Sequence, residues 1–324
     1  MAAQPAVLRS LLAADPPALR PEPLGIVIVA RGSSDYAAIF GRYLLEAVTG
    51  RPVALAAPSL QTLYGVMPRL DGWLAVGISQ SGRTPEIATV LDRYRAGGAR
   101  TLAVTNDPES PLAHSADAAI ALTAGDEQAV PATKTFTAEL AAMLLVAEGL
   151  GGTPWSPAER ERVPDAVAEV LADPGPADDA AARLGDAHEL VAVARGYLMP
   201  VALEAALKLR ESAGVRAEGW STADFRHGPV TVARRDLPLL AVSATGPAAS
   251  DVEELVAALE DGGTPVLRLS DEQGSDLPYP GGLPEPLCTL PAAVRAQQLA
   301  LALARRRGID PDRPPGLRKV TPTT

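Results

Sequence analysis

Val29-Ala30-Arg31-Gly32 recurs at an offset of 164 residues as Val193-Ala194-Arg195-Gly196. Both copies sit at the end of an apolar run, Gly25–Ala30 and Leu190–Ala194. A helical pattern follows each and stops at a glycine, Gly50 and Gly214. The offset persists along the chain. Ser79-Gln80-Ser81-Gly82 follows the apolar run Leu74–Ile78, and Ser243-Ala244-Thr245-Gly246 follows Leu239–Val242. Another helical pattern then leads to a Gly-Gly pair, at 97–98 and at 262–263. Two anchor pairs at one offset, in the same strand-then-helix setting, indicate a chain written twice.

Outward from these anchors, strand and helix alternate. Strands are expected at 25–30, 52–57, 73–79, 100–105 and 118–123, with a long helix over about 132–149. The second half is expected to place strands at 189–194, 215–218, 238–243, 264–269 and 286–290, and helices near 199–213, 249–261 and 292–307. Runs such as Trp73–Ile78 and Leu237–Val242 are apolar at consecutive positions, as in parallel strands covered by helices on both faces. The expected class is therefore α/β, with two tandem domains, each a doubly wound, mainly parallel sheet flanked by helices. The expected boundaries are an N-terminal helical segment at 1–24, a first domain at 25–150, a linker at 151–184, a second domain at 185–308 and a tail at 309–324. A short helix is expected around Ala6–Leu12. Within the linker, Gly151–Asp179 is rich in proline, glycine and charge, with one helix expected at Pro157–Leu171.

Composition narrows the function. At about 150 residues per domain, 324 residues suit two domains. A content of 47% hydrophobic and 21% charged residues is that of a globular protein able to fill a core. The one cysteine, Cys288, allows no intrachain disulfide, and a reducing cytoplasm is the expected compartment. His114, His188 and His227 are far apart in sequence, so neither a metal site nor a cofactor is expected. A net charge of −10 argues against nucleic acid or a membrane surface as partner. No charge-free stretch of 18 apolar residues and no signal-peptide pattern stand out.

Two loops in the first half combine hydroxyls with glycine: Gly32-Ser33-Ser34, and Ser79-Gln80-Ser81-Gly82-Arg83-Thr84. Ligands of open parallel sheets sit beyond the carboxyl ends of the strands, where both loops belong. A helix is expected to begin near Thr84 or Pro85, and its free N–H groups with three hydroxyls suit a phosphate. The pattern fits neither a Walker loop nor a dinucleotide fingerprint. An ordinary βα turn with helix capping accounts for it equally well. The second copy, Ser243-Ala244-Thr245-Gly246-Pro247-Ala248, keeps the turn and loses the glutamine, so the halves are expected to divide labour.

The helix after Gly196 carries Glu204, Lys208 and Glu211 at i, i+4 and i+7, on one face. That stripe is either a solvated face with a Glu–Lys pair or a carboxylate base with a lysine beside it. Further on, Phe225-Arg226-His227-Gly228-Pro229 sets a histidine in a Gly-Pro turn. Such a histidine is either structural or an acid for opening a sugar ring.

Taken together, these residues resemble a known family. Ser79–Thr84 is similar to the Ser-Gln-Ser-Gly-Glu-Thr loop of sugar isomerase (SIS) domains, and the chain resembles the isomerase half of glucosamine-6-phosphate synthases, itself a tandem of two SIS domains. Ala132-Thr133-Lys134-Thr135-Phe136-Thr137, Pro200–Glu211, Phe225–Pro229 and Asp312–Lys319 carry the resemblance over nearly the whole chain. The resemblance implies a hexosamine 6-phosphate substrate, with Ser34, Ser79, Gln80, Ser81 and Thr84 on the phosphate and Val130 and Thr133 on the sugar. It implies that Glu211 moves a proton between C1 and C2, supported by Glu204 and Lys208. It further implies a homodimer in which His227 arrives from the neighbouring subunit to assist ring opening, and a tail lysine, Lys319, able to form a Schiff base with an open ketose.

The chain also departs from that family. It begins Met1-Ala2-Ala3 and its one cysteine is Cys288, so ammonia from glutamine by the route of the synthase's glutaminase, whose nucleophile is its first cysteine, is not expected of it. Arg83 stands where glutamate is common, Pro131-Ala132 replaces a stretch that usually offers a serine hydroxyl, and Asp35 and Tyr36 also differ. The expected reaction is accordingly glucosamine-6-phosphate deamination with isomerisation to fructose 6-phosphate. Alternatives are a lyase that eliminates the C3 hydroxyl of N-acetylglucosamine 6-phosphate as water, an aldose–ketose isomerase or deglycase, and a sensor that binds sugar phosphates without turnover.

Overall fold

The computed structural model describes residues 1–317. Apolar runs become strands and the amphipathic stretches between them become helices. The order through the first half is α1 (Gln4–Leu12), β1 (Ile26–Val29), α2 (Ser33–Thr49), β2 (Val53–Leu55), α3 (Pro58–Thr62), β3 (Leu74–Ile78), α4 (Pro85–Ala96), β4 (Arg100–Thr105), α5 (Pro111–His114), β5 (Ala118–Ala121) and α6 (Lys134–Leu150). Then come α7 (Pro157–Glu161), α8 (Val163–Ala172) and α9 (Gly175–Leu184). The second half runs β6 (Glu189–Ala194), α10 (Met199–Ala213), β7 (Arg216–Ser221), α11 (Thr222–Arg226), β8 (Leu239–Val242), α12 (Ala249–Asp261), β9 (Val266–Ser270), β10 (Leu277–Pro278) and α13 (Glu285–Arg306).

Two five-stranded sheets result, in the orders β2-β1-β3-β4-β5 and β10-β9-β8-β6-β7. Counted from its own first strand, each sheet has the same order, and every pairing is parallel. β1, β3 and β8 are buried along their whole length, as strands covered on both faces must be. The chain divides into two compact units. One contains Ala6–Glu127 and Lys134–Ser156 with the first sheet; the other contains Met1–Pro5, Gln128–Thr133 and Pro157–Leu317 with the second.

The core of the first unit packs β1, β3 and β4 against α4 and α5 through Val27, Val29, Ala75, Ala103, Ile87, Leu91 and Leu112. In the second, Val191, Val193, Leu239 and Ala241 meet Val252, Leu255 and Val256 of α12. The helices α2 and α10 end at Gly50 and Gly214, both left-handed, with φ of 63° and 66°.

Two expectations need correction. The stretch 286–290 is not a strand but the first turns of α13, and the last strand of the second sheet is Leu277–Pro278. A short run of consecutive apolar residues fits a buried helix as well as a buried strand. α13 is buried nearly all round, and its N-terminus at Glu285–Pro286 absorbs a proline whose missing N–H has no partner there in any helix. The single helix expected at Pro157–Leu171 is instead divided between α7 and α8, with Pro164 in the first turn of α8, and α9 follows after Pro174. Among the described residues, α13 is the one helix with the length and hydropathy of a membrane span, and 94% of that stretch is buried inside the protein.

Candidate active site

The first candidate cluster lies beyond the carboxyl ends of β1 and β3. Ser79–Thr84 links β3 to α4, and Pro85 occupies the first helical turn. The Ser79 and Thr84 hydroxyls are 3.4 Å apart. Ser81 Oγ accepts the Arg83 N–H at 3.2 Å, and the Gln80 carbonyl accepts the Asn106 N–H at 3.1 Å. The N–H groups of Gln80, Ser81 and Thr84 donate to no partner among the described residues. These unspent donors beside a helix start are what an anion requires. Gly82 has a φ of 61°, and a Cβ there would lie 2.0 Å from Ser110 Oγ, so the turn tolerates no side chain.

Each arginine flanking this loop is tied to a carboxylate. Arg31, just past β1, donates twice to Glu86 of α4, at 2.9 and 3.0 Å. Arg83 donates to Asp107 at 2.9 Å. The Asp35 carboxyl is pushed above its ordinary range by burial, against the opposing charge of Arg31. Ser34 is buried in the first turn of α2 and donates to Glu139 of α6 at 2.8 Å. Sequence reasoning did not single out Glu86, Asp107 or Glu139. Glu139 lies 105 positions from Ser34, beyond the reach of any local pattern.

The second cluster lies on α10, in the other unit. Glu204 and Lys208 are buried, while the Glu211 side chain retains 22% exposure. Lys208 Nζ is 3.4 Å from Glu204 Oε1 and donates to Glu211 Oε2 at 2.5 Å. Burial alone would depress the Lys208 pKa, but the charges of Glu204 and Glu211 and their hydrogen bonds outweigh it and raise it. The lysine is thus held as a cation. Glu211 Oε1 has no hydrogen bond among the described residues, so one oxygen is fixed and the other is available for proton transfer. The helix can approach its sheet this closely because β7 has Gly219, where a Cβ would lie 2.8 Å from the Leu203 Cα.

His227 lies elsewhere in this unit, exposed at the end of α11, where its N–H donates to the Asp224 carbonyl at 3.1 Å. Val130 donates its N–H to the Asp312 carbonyl at 2.9 Å, and the Thr133 carbonyl accepts from Gln297 Nε2 at 3.2 Å. The structure thus joins Glu204, Lys208 and Glu211 in one ion-paired set and Ser79–Thr84 in one loop. Lys319 lies outside the described residues. No group of three or more histidine, cysteine, aspartate or glutamate side chains suited to a metal occurs among the described residues.

Comparison with known proteins adds the family. The SIS domain model matches residues 19–149 and 183–278, one segment for each sheet. The chain is 32% identical over 323 residues to the isomerizing glutamine–fructose-6-phosphate aminotransferase of Gloeobacter violaceus, covering 91% of this chain and 51% of that protein. To the protein of the same name from Zymomonas mobilis it is 30% identical over 312 residues, again covering 91% and 51%. The chain therefore spans about half the length of these curated relatives. Among solved structures, the C-terminal domain of glucosamine-fructose-6-phosphate aminotransferase from Francisella tularensis matches with a TM-score of 0.85 at 22% identity, covering 96% of each chain. Glucosamine-6-phosphate deaminase from Thermotoga maritima matches with a TM-score of 0.82 at 24% identity, covering 99% of this chain and 97% of that one. At these identities the two likenesses speak to fold. The matched segments make up most of the described chain, and the protein belongs to the SIS domain family.

Proposed function

We propose that this protein is an amino-sugar 6-phosphate deaminase/isomerase. Open-chain glucosamine 6-phosphate loses its C2 proton to Glu211, and a proton is returned to C1. The resulting C2 imine adds water and expels ammonia, leaving fructose 6-phosphate. The observation that carries the reading is the Glu211 carboxylate, fixed through one oxygen by a buried lysine and free at the other. Proton abstraction beside a carbonyl needs a positioned base of this kind. The free N–H groups of Gln80, Ser81 and Thr84 support a phosphate ester as the anchor, with the hydroxyls of Ser79, Ser81 and Thr84 and the carboxamide of Gln80 around it.

Within this reading Ser34 helps shape the phosphate site, Val130 and Thr133 border the sugar, Glu204 keeps Lys208 charged, His227 assists ring opening and Lys319 serves an open ketose as an imine partner. The working assembly is a homodimer in which His227 acts in the neighbouring subunit. A run of exposed apolar side chains, Leu60, Leu63, Tyr64, Val66 and Met67, supports association with a second copy.

One incubation series tests the reaction. Glucosamine 6-phosphate, N-acetylglucosamine 6-phosphate, and fructose 6-phosphate with ammonia are each followed by NMR in deuterated water. Ammonia and fructose 6-phosphate from the first are the expected result. An unsaturated sugar with acetate retained, from the second, would replace the deaminase with a dehydratase. No turnover of any of the three, with binding intact, would make the protein a sensor.

A further inference from the structure

A cavity of about 400 Å³ opens in the unit of the second sheet, where β6 and β7 begin. None of the candidate site residues lines it. Glu189 heads β6, Arg216 heads β7, and Arg210 comes from the last turn of α10. Val232, Arg234 and Leu237 come from the segment leading into β8. The volume falls within the range of small-ligand sites, and the mixture of apolar wall and few charged groups is typical of them.

The charge is unusual for this chain. Three arginines and two glutamates, Glu189 and Glu218, line the cavity, leaving a cationic surplus on a protein of net charge −10. Glu189 is 2.7 Å from both Arg216 and Arg234, and the Arg234 hydrogen bond and the Arg216 charge hold its carboxyl below the usual range. Arg234 also meets Asp236 at 2.8 Å. Glu218 is engaged by the Trp220 indole N–H at 3.0 Å. Arg210 has no ion pair or hydrogen bond to another side chain among the described residues. The cavity therefore presents one uncommitted guanidinium, a second whose fork is only partly used, and an apolar wall that includes the unusually exposed Val232.

We propose that this cavity is a second ligand site, separate from the candidate active site, for a small organic anion with an apolar body, held by Arg210 and Arg216 with its body against Leu237 and Val232. A planar carboxylate matches the guanidinium fork, and the apolar wall discriminates against small inorganic anions.

The test is calorimetric titration of the full chain with benzoate, and with neutral benzamide for comparison. Benzoate is expected to bind at one site per chain, and benzamide at least tenfold more weakly. Arg210→Gln is expected to weaken benzoate binding about tenfold or more, whereas Thr84→Ala, in the phosphate loop, leaves it unchanged. Arg216→Gln, at an exposed strand start, gives the same readout should the first variant fold poorly. No benzoate binding, benzamide binding as tight as benzoate, wild-type benzoate affinity in both arginine variants, or loss in Thr84→Ala would each overturn the proposal.

Discussion

Lys208 is a buried ammonium between two carboxylates of its own helix, so its removal strands two negative charges. Lys208→Met is expected to cost about 3–5 kcal/mol of stability, measured by denaturant unfolding. The pH dependence has a definite sign. The folded-state pKa of Lys208 is raised, so its stabilisation is fully present below the ordinary lysine pKa and is lost as pH rises through the higher folded value. Wild type should thus lose this contribution only above about pH 10.4, and Lys208→Met should lack that alkaline step in a Tm-versus-pH series. In the Ser79–Thr84 loop, proposed to hold the phosphate, Gly82→Ala meets both a left-handed φ and Ser110. It should raise KM for a hexosamine 6-phosphate about tenfold or more, while kcat changes less, in steady-state assays.

At the scale of elements, α10 and β7 are fitted to one another through Gly219. Gly219→Ala should destabilise the protein by about 1–3 kcal/mol in thermal unfolding, because the clash is with helix backbone that cannot rotate away. The alternation of strand and helix was legible because buried parallel strands leave unbroken apolar runs, as in Leu74–Ile78. The same rule misled at Pro286–Leu290. α13 packs against α8, α9 and α10 and is buried on nearly all sides, so its apolar start resembles a buried strand. The spacing of Glu204, Lys208 and Glu211 was legible, but not whether that face is wet or dry. Burial of Glu204 and Lys208 follows from how α10 packs, which no local pattern encodes. Likewise Ser34 and Arg31 could be named from the loop after β1, whereas the carboxylates they donate to, Glu139 for Ser34 and Glu86 for Arg31, come from other elements.

For the whole molecule, the proposed exchange of His227 between subunits has a direct consequence. Glu211→Gln and His227→Ala should each be nearly inactive. Mixed and allowed to exchange subunits, they should recover activity, up to about one quarter of wild type, since a closed dimer of the two variants contains one intact site. Activity that stays at the level of the separate variants would place His227 in its own subunit's chemistry. The central claim is that one carboxylate removes the C2 proton of a phosphate-anchored amino sugar. Its most direct test is deuterium incorporation from deuterated water during incubation with glucosamine 6-phosphate, read by NMR for wild type and Glu211→Gln, with substrate affinity measured in parallel. The account predicts rapid labelling at C2 of recovered substrate or C1 of product by wild type, and labelling slowed about 10²-fold or more in the variant with affinity retained. Equal labelling and equal turnover by the two proteins would contradict it.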